Sequence, residues 1–169
     1  MRDTPPDLPL NRLLHDNMGT VVNFVFSYWP IIRLMKEKFV GYPKRFEEFA
    51  LIVPGRNAIR ACLEIAVIIR LIDDRSEIVK YLKQVNPATL GCFGVVHRTD
   101  GAQEALTLRA LTDKIIHAER RYWDLDVEQA PKLICTAADD QQQKHGWVKA
   151  EVDIINLAFF CDGLFTERI

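Results

Sequence analysis

The hydrophobic period of this chain changes near Glu119, and that change limits the folds open to it. Before it, apolar residues recur at helical spacing. Arg56 to Ile72 carries Ile59, Leu63, Ala66, Val67 and Ile69 at that spacing, and its second half is apolar almost all round. A helix of that kind belongs at the centre of a bundle. After Glu119 the period falls to two: Trp123, Leu125 and Val127 alternate with Tyr122, Asp124 and Asp126. The same alternation returns at Leu133, Cys135 and Ala137, and again at Val148, Ala150 and Val152. Three short strands are predicted there. A last helix from about Asp153 to Phe165 closes the chain.

The expected fold is therefore α+β and mainly α. A helical bundle over residues 10–119 is followed by a three-stranded antiparallel insertion over 120–152 and a final helix over 153–166, all in one domain. Within the bundle, Leu10 to Trp29 is helical in composition. Pro30 fits the first turn of a new helix to Val40, and Pro43 opens a short one closed by Pro54-Gly55. Ser76 to Val85 reads as a further short helix, and Ala88 to His97, with two glycines, as irregular. Asp100-Gly101-Ala102-Gln103 has the form of a capping box opening a helix over 102–119. The run Asp139 to Gly146 reads as a turn.

With 169 residues, 49% of them hydrophobic, and 22 basic against 23 acidic side chains, the chain is long and apolar enough for one core. Its net charge of −1 gives no global basic excess for a polyanion, which leaves only a local patch for that role. Val21 to Ile32 is interrupted by Asn23 and Pro30, and Ile65 to Ile69 lies between Glu64 and Arg70. Both fall short of the ~20 apolar residues of a membrane span. Four separated cysteines, Cys62, Cys92, Cys135 and Cys161, form no C-x-x-C pair and read as buried thiols. The expected address is cytoplasmic, with no membrane partner. Cys92 and His97 leave a zinc site short of ligands, so no metal and no cofactor is expected. No phosphate-binding loop, dinucleotide fingerprint or nucleophile elbow occurs.

At about 100° per residue, Arg109, Asp113 and His117 share one helix face, away from the Leu108/Leu111/Ile115 stripe. A carboxylate four residues before a histidine can orient it and hold its proton, and an arginine one turn earlier can hold a phosphate. A solvated helix face has the same composition. A second polar stripe, Arg56, Arg60 and Glu64, recurs every four residues on the central helix. It reads first as an Arg60–Glu64 surface pair, and more sharply as the other wall of a cleft facing Arg109, Asp113 and His117. Arg120-Arg121-Tyr122-Trp123 mixes basic and aromatic side chains in a way compatible with nucleic-acid contact.

The segment Asp113-Lys114-Ile115-Ile116-His117-Ala118 resembles the N/D-K-I-I-H-A helix of small HEPN-like prokaryotic proteins. The resemblance implies a helical bundle that commonly dimerises and is associated with RNA. In active members of that superfamily, an arginine, a polar residue and a histidine cut RNA without metal. Asp113 matches the polar residue and His117 the histidine. Thr112 stands where the arginine belongs, and Arg109 lies one turn too early, so the motif here is degenerate. In an active form, His117 would move the proton of the neighbouring 2′-hydroxyl, Asp113 would orient it, and Arg109, Arg120 or Arg121 of either subunit would supply the positive charge. Two alternatives stand beside this one. One is a homo-oligomeric interaction module. The other is a small-ligand bundle, which requires an unfilled cavity between bundle and sheet.

Overall fold

The computed structural model describes residues 10–39, 41, 44–76, 93–126 and 129–166. The chain is α+β, and its elements follow in order. Helix α1 spans Leu10–Lys38, a single turn α2 spans Lys44–Glu47, and a π-helical turn over Glu48–Ile52 runs into α3, Val53–Ser76. Strands β1 (Gly94–Arg98) and β2 (Gln103–Ala105) precede α4 (Leu108–His117). Strands β3 (Arg120–Asp124) and β4 (Lys132–Thr136), helix α5 (Asp139–His145), strand β5 (Trp147–Asp153) and helix α6 (Ile154–Thr166) complete it.

The sheet has five strands in the order β2-β1-β5-β4-β3, and every neighbouring pair is antiparallel. The three strands expected from the alternation, β3, β4 and β5, lie side by side as predicted. The other two come from sequence read as irregular and helical. Asp100-Gly101 is a hairpin turn and not a helix cap: the Asp100 carboxylate accepts from the Ala102 N–H at 2.9 Å, and Gly101 takes φ +86°. Asp-Gly serves both roles, and pairing of β1 with β5 decides between them. The cap of α4 is Thr107, whose hydroxyl accepts from the Ala110 N–H at 3.4 Å. The sheet therefore begins before α4 and is not an insertion confined to residues 120–152.

Three further boundaries differ from the sequence reading. Pro30 lies inside a continuous α1. Pro54-Gly55 does not break the chain. Pro54 has no N–H to close a normal turn, and the helix accommodates this with the wide turn before it, where the Val53 N–H reaches Glu48 O. The polar run after β4 forms helix α5, with Asp139 and Asp140 in its first turn and Lys144 and His145 in its last, matching the helix dipole. Gly146, at φ +64°, ends it. The helix expected over 76–85 falls almost wholly outside the described residues, as do Val127 and Cys92.

One sheet face packs on the helices. Val96, Leu133, Cys135, Ala150 and Val152 are buried in one cluster with Phe24, Ala58, Cys62, Ile65, Leu111, Ile115 and Leu157. Cys62, Cys135 and Cys161 are free and buried, and burial pushes the Cys135 and Cys161 thiols up to about 12. No described helix is long and apolar enough to cross a membrane.

Strand β1 enters the sheet through Gly94 at φ +136°, where a Cβ would stand 1.8 Å from the Glu151 carbonyl oxygen. Any side chain there separates β1 from β5. Gly94→Ala should cost more than about 2 kcal/mol in a denaturant titration, well above a typical surface change.

Candidate functional site

Helix α4 is positioned by its buried stripe. Leu108, Leu111 and Ile115 face the core against α3, which turns Arg109 and His117 outward and leaves Asp113 and Lys114 half-buried. Asp113 lies between an ammonium and an imidazole. The Lys114 ammonium donates to Asp113 Oδ2 at 3.0 Å, and His117 Nε2 stands 3.8 Å from Oδ1. The first is a hydrogen bond; the second is too long to be one. Lys114 also rests 4.5 Å from the centre of the Trp147 ring, so its position is fixed by packing as well as by charge.

Thr112 turns away from this face. It is 4% exposed, and its hydroxyl donates to the Arg109 carbonyl at 3.1 Å. A long cation at this position would enter the core between α4 and α3 and not reach His117.

Arg109 and Asp113 line one hollow of about 350 Å³ beside the C-terminal end of α3. Arg70 of α3, Arg98 of β1, Glu104 of β2 and Lys114 complete its charged lining, four cations against two carboxylates. Arg98 and Glu104 are already hydrogen-bonded to each other, which holds the guanidinium proton more tightly and keeps the carboxyl below its ordinary range. Arg70 and Arg109 are exposed and make no ion pair with a described residue. Arg70, Arg98 and Lys114 were not singled out by sequence reasoning. The signal for the strand that carries Arg98 was the β-branched pair Val95-Val96, masked by the neighbouring glycines.

The second stripe does not join this hollow. Arg60 Nε and Glu64 Oε1 are 2.8 Å apart on the solvent side of α3, a surface pair as the simpler reading had it. Arg56 lies about 21 Å up the helix from Arg70, at 1.5 Å per residue. It lines a different, larger hollow of about 530 Å³ between α1, the start of α3 and β3. Arg121 is committed to structure: its Nε and Nη2 donate to the Ile115 and Ile116 carbonyls at 2.7 and 2.9 Å and so satisfy the C-terminal end of α4. Arg120 stands exposed on the outer sheet face, opposite Thr136.

That outer face carries a second charge cluster. Glu151 of β5 accepts from Lys149 at 2.7 Å and Lys132 at 3.0 Å, and stands 2.9 Å from His97 Nε2. Partial burial works against its ionisation, but the hydrogen bonds and charges of Lys149 and Lys132 outweigh this and hold the carboxyl down at about 2. No group of three or more potential metal ligands occurs among the described residues.

A carboxyl depressed in the folded state stabilises it above the unfolded value of about 4.3, and that contribution is lost as pH falls toward about 2. The stability gap between wild type and Glu151→Gln should therefore be widest above pH 5, at most about 3 kcal/mol, and close between pH 4 and pH 2. Urea titrations across that range read it directly; a constant gap would assign the loss to packing. Comparison of the chain with protein-family models, with curated proteins and with solved structures finds no match to any of them.

Proposed function

We propose that the α4 face is an RNA-phosphate surface, and that the protein is a degenerate HEPN-like member that holds RNA without cutting it. The observation that carries this is the hollow beside Arg109, where four cations stand against two carboxylates and two of the cations have no ion-pair partner among the described residues. Such an excess suits a phosphodiester, which accepts hydrogen bonds from arginine in a fork geometry. The site's chemistry favours holding over cutting. His117 is 57% exposed and makes no hydrogen bond to Asp113 that would set its tautomer, and Thr112 is buried where a charge-stabilising arginine would have to reach.

The test combines binding and cleavage. Unstructured RNA should bind wild type with an affinity that falls as salt rises. Arg70→Ala and Arg109→Ala should each weaken binding and lower the salt slope by about one phosphate contact. In EDTA, neither wild type nor His117→Ala should cut a mixed RNA pool. Metal-independent cutting lost in His117→Ala would replace this reading with a nuclease. Absence of binding even at low salt would remove RNA from the account.

A second reading, self-association, draws on Phe159 of α6, which is 72% exposed on the helix's outer face beside the exposed Asn156, Asp162 and Gly163. A homodimer through this face predicts a mass that rises with concentration and a shift to monomer in Phe159→Asp. A monomer at every concentration in light scattering would exclude it.

A further inference from the structure

The sheet ends on an open edge. Its last strand, β3, pairs with β4 over Arg120–Asp124 without a shift in register, and no strand among the described residues lies on its other side. The opposite edge, β2, is only three residues long. The pairing fixes which peptide groups of β3 are left over. The Ala137 N–H donates to the Val148 carbonyl and the Ile154 N–H to the Pro131 carbonyl, so odd-numbered residues along β4 bond to β5 and even-numbered ones to β3. Arg120, Tyr122 and Asp124 stand opposite those even residues. The N–H and carbonyl groups of Arg121 and Trp123 therefore point outward, and such a row is a template for another strand.

The row is bounded at both ends. The Trp29 indole donates to the Leu125 carbonyl at 2.6 Å, and the Glu119 N–H donates to the Thr136 carbonyl at 2.9 Å. What remains is Arg120–Asp124, centred on Tyr122. Alternation puts Arg120, Tyr122 and Asp124 on the outer sheet face, where all three are exposed, and turns Arg121 and Trp123 toward the bundle. Arg121 is engaged at the end of α4 and Trp123 at the Gly55 carbonyl. Arg120 and Asp124 make no ion pair with a described residue. Four residues apart in an extended strand, they are separated by about 13 Å and cannot meet within one chain.

A second copy of β3, laid antiparallel about a two-fold axis at Tyr122, removes that separation. Arg120 of each copy then stands opposite Asp124 of the other, flanking a Tyr122–Tyr122 pair. Arg121 of each copy stands opposite Trp123 of the other and exchanges both peptide hydrogen bonds with it, so every outward group of the row finds a partner. The charged pairs fall at the non-hydrogen-bonded positions, where side chains approach more closely. Trp29 and Ile52, which line the hollow beside this edge, are 39% and 42% exposed and add apolar surface for a second copy to cover. We propose that the protein self-associates through β3, which joins two sheets into one antiparallel sheet with both bundles on the same side. The partner is a second copy because the row is complementary to itself about Tyr122. The proposal rests neither on the phosphate surface nor on the Phe159 face.

The test uses the whole chain, with mass followed against concentration by sedimentation equilibrium. Wild type should pass from monomer to dimer. Arg120→Asp and Asp124→Arg each set like charges opposite one another at both symmetry-related positions, and each should weaken the dimer at least about tenfold. Arg120→Asp together with Asp124→Arg exchanges the charges and should restore the dimer, which a folding defect would not do. Phe159→Asp should leave it unchanged. Tyr122 lies opposite itself with a Cα separation of about 4.5 Å, which suits a disulfide, so Tyr122→Cys should cross-link on oxidation where wild type does not. Circular dichroism verifies the fold of each variant. The proposal is overturned by a monomer at every concentration, by a dimer unmoved by the single reversals or not recovered by the double one, or by absence of the cross-link. A dimer lost only in Phe159→Asp moves the interface to α6.

Discussion

The seam between α3 and β3 holds bundle and sheet together, and it depends on Gly55. A Cβ at this position would meet the Phe24 ring at 3.0 Å, so the absence of a side chain lets α3 lie close against α1. The carbonyl of the same residue accepts the indole N–H of Trp123 at 3.0 Å, which ties the edge strand to the start of the helix. Phe24, Gly55 and Trp123 thus bring a helix, a second helix and a strand to one point. The half-buried indole without that acceptor would lose a hydrogen bond, and the edge strand would lose one of its ties to the bundle.

Helix α4 depends on the same seam. The carbonyls of Ile115 and Ile116 near its C-terminal end accept from Arg121, a side chain of β3 three residues beyond the helix's own cap, Ala118. Its N-terminal half borders the cation-rich hollow. The helix therefore links two surfaces of different character, a charged one at the end of α3 and an aromatic one at its start. Their separation of about 21 Å along α3 follows from helix rise alone.

The outer sheet face shows how charge is managed on the face turned away from the helices that form the core. Glu151 gathers Lys132, Lys149 and His97 from its own and both neighbouring strands. Cross-strand register brings them within reach, since Glu151 stands opposite Ile134 and Val95, one residue pair from His97 and Lys149. Spacing along the chain brings only Lys149 to Glu151, because Lys132 and His97 lie 19 and 54 residues away in other strands.

Much of the fold was legible because period and burial are one-dimensional signals. The apolar run of Arg56–Ile72, the alternation in β3, β4 and β5, and the polar face of α4 all follow from residues a few positions apart. The hairpin of β1 and β2 was not legible in this way. Asp-Gly suits a turn or a cap, and pairing with β5, some 50 residues later, selects the turn. The candidate sites divide along the same line. Sequence alone aligned Arg109, Asp113 and His117 on one side of a helix, and i,i+4 geometry requires it. Only tertiary structure could add Arg70 and Arg98 to that face, commit Arg121 to the end of α4, and separate Arg56 from Arg109. Those outcomes depend on which elements pack together, and packing is set by the shapes of surfaces distant in the chain.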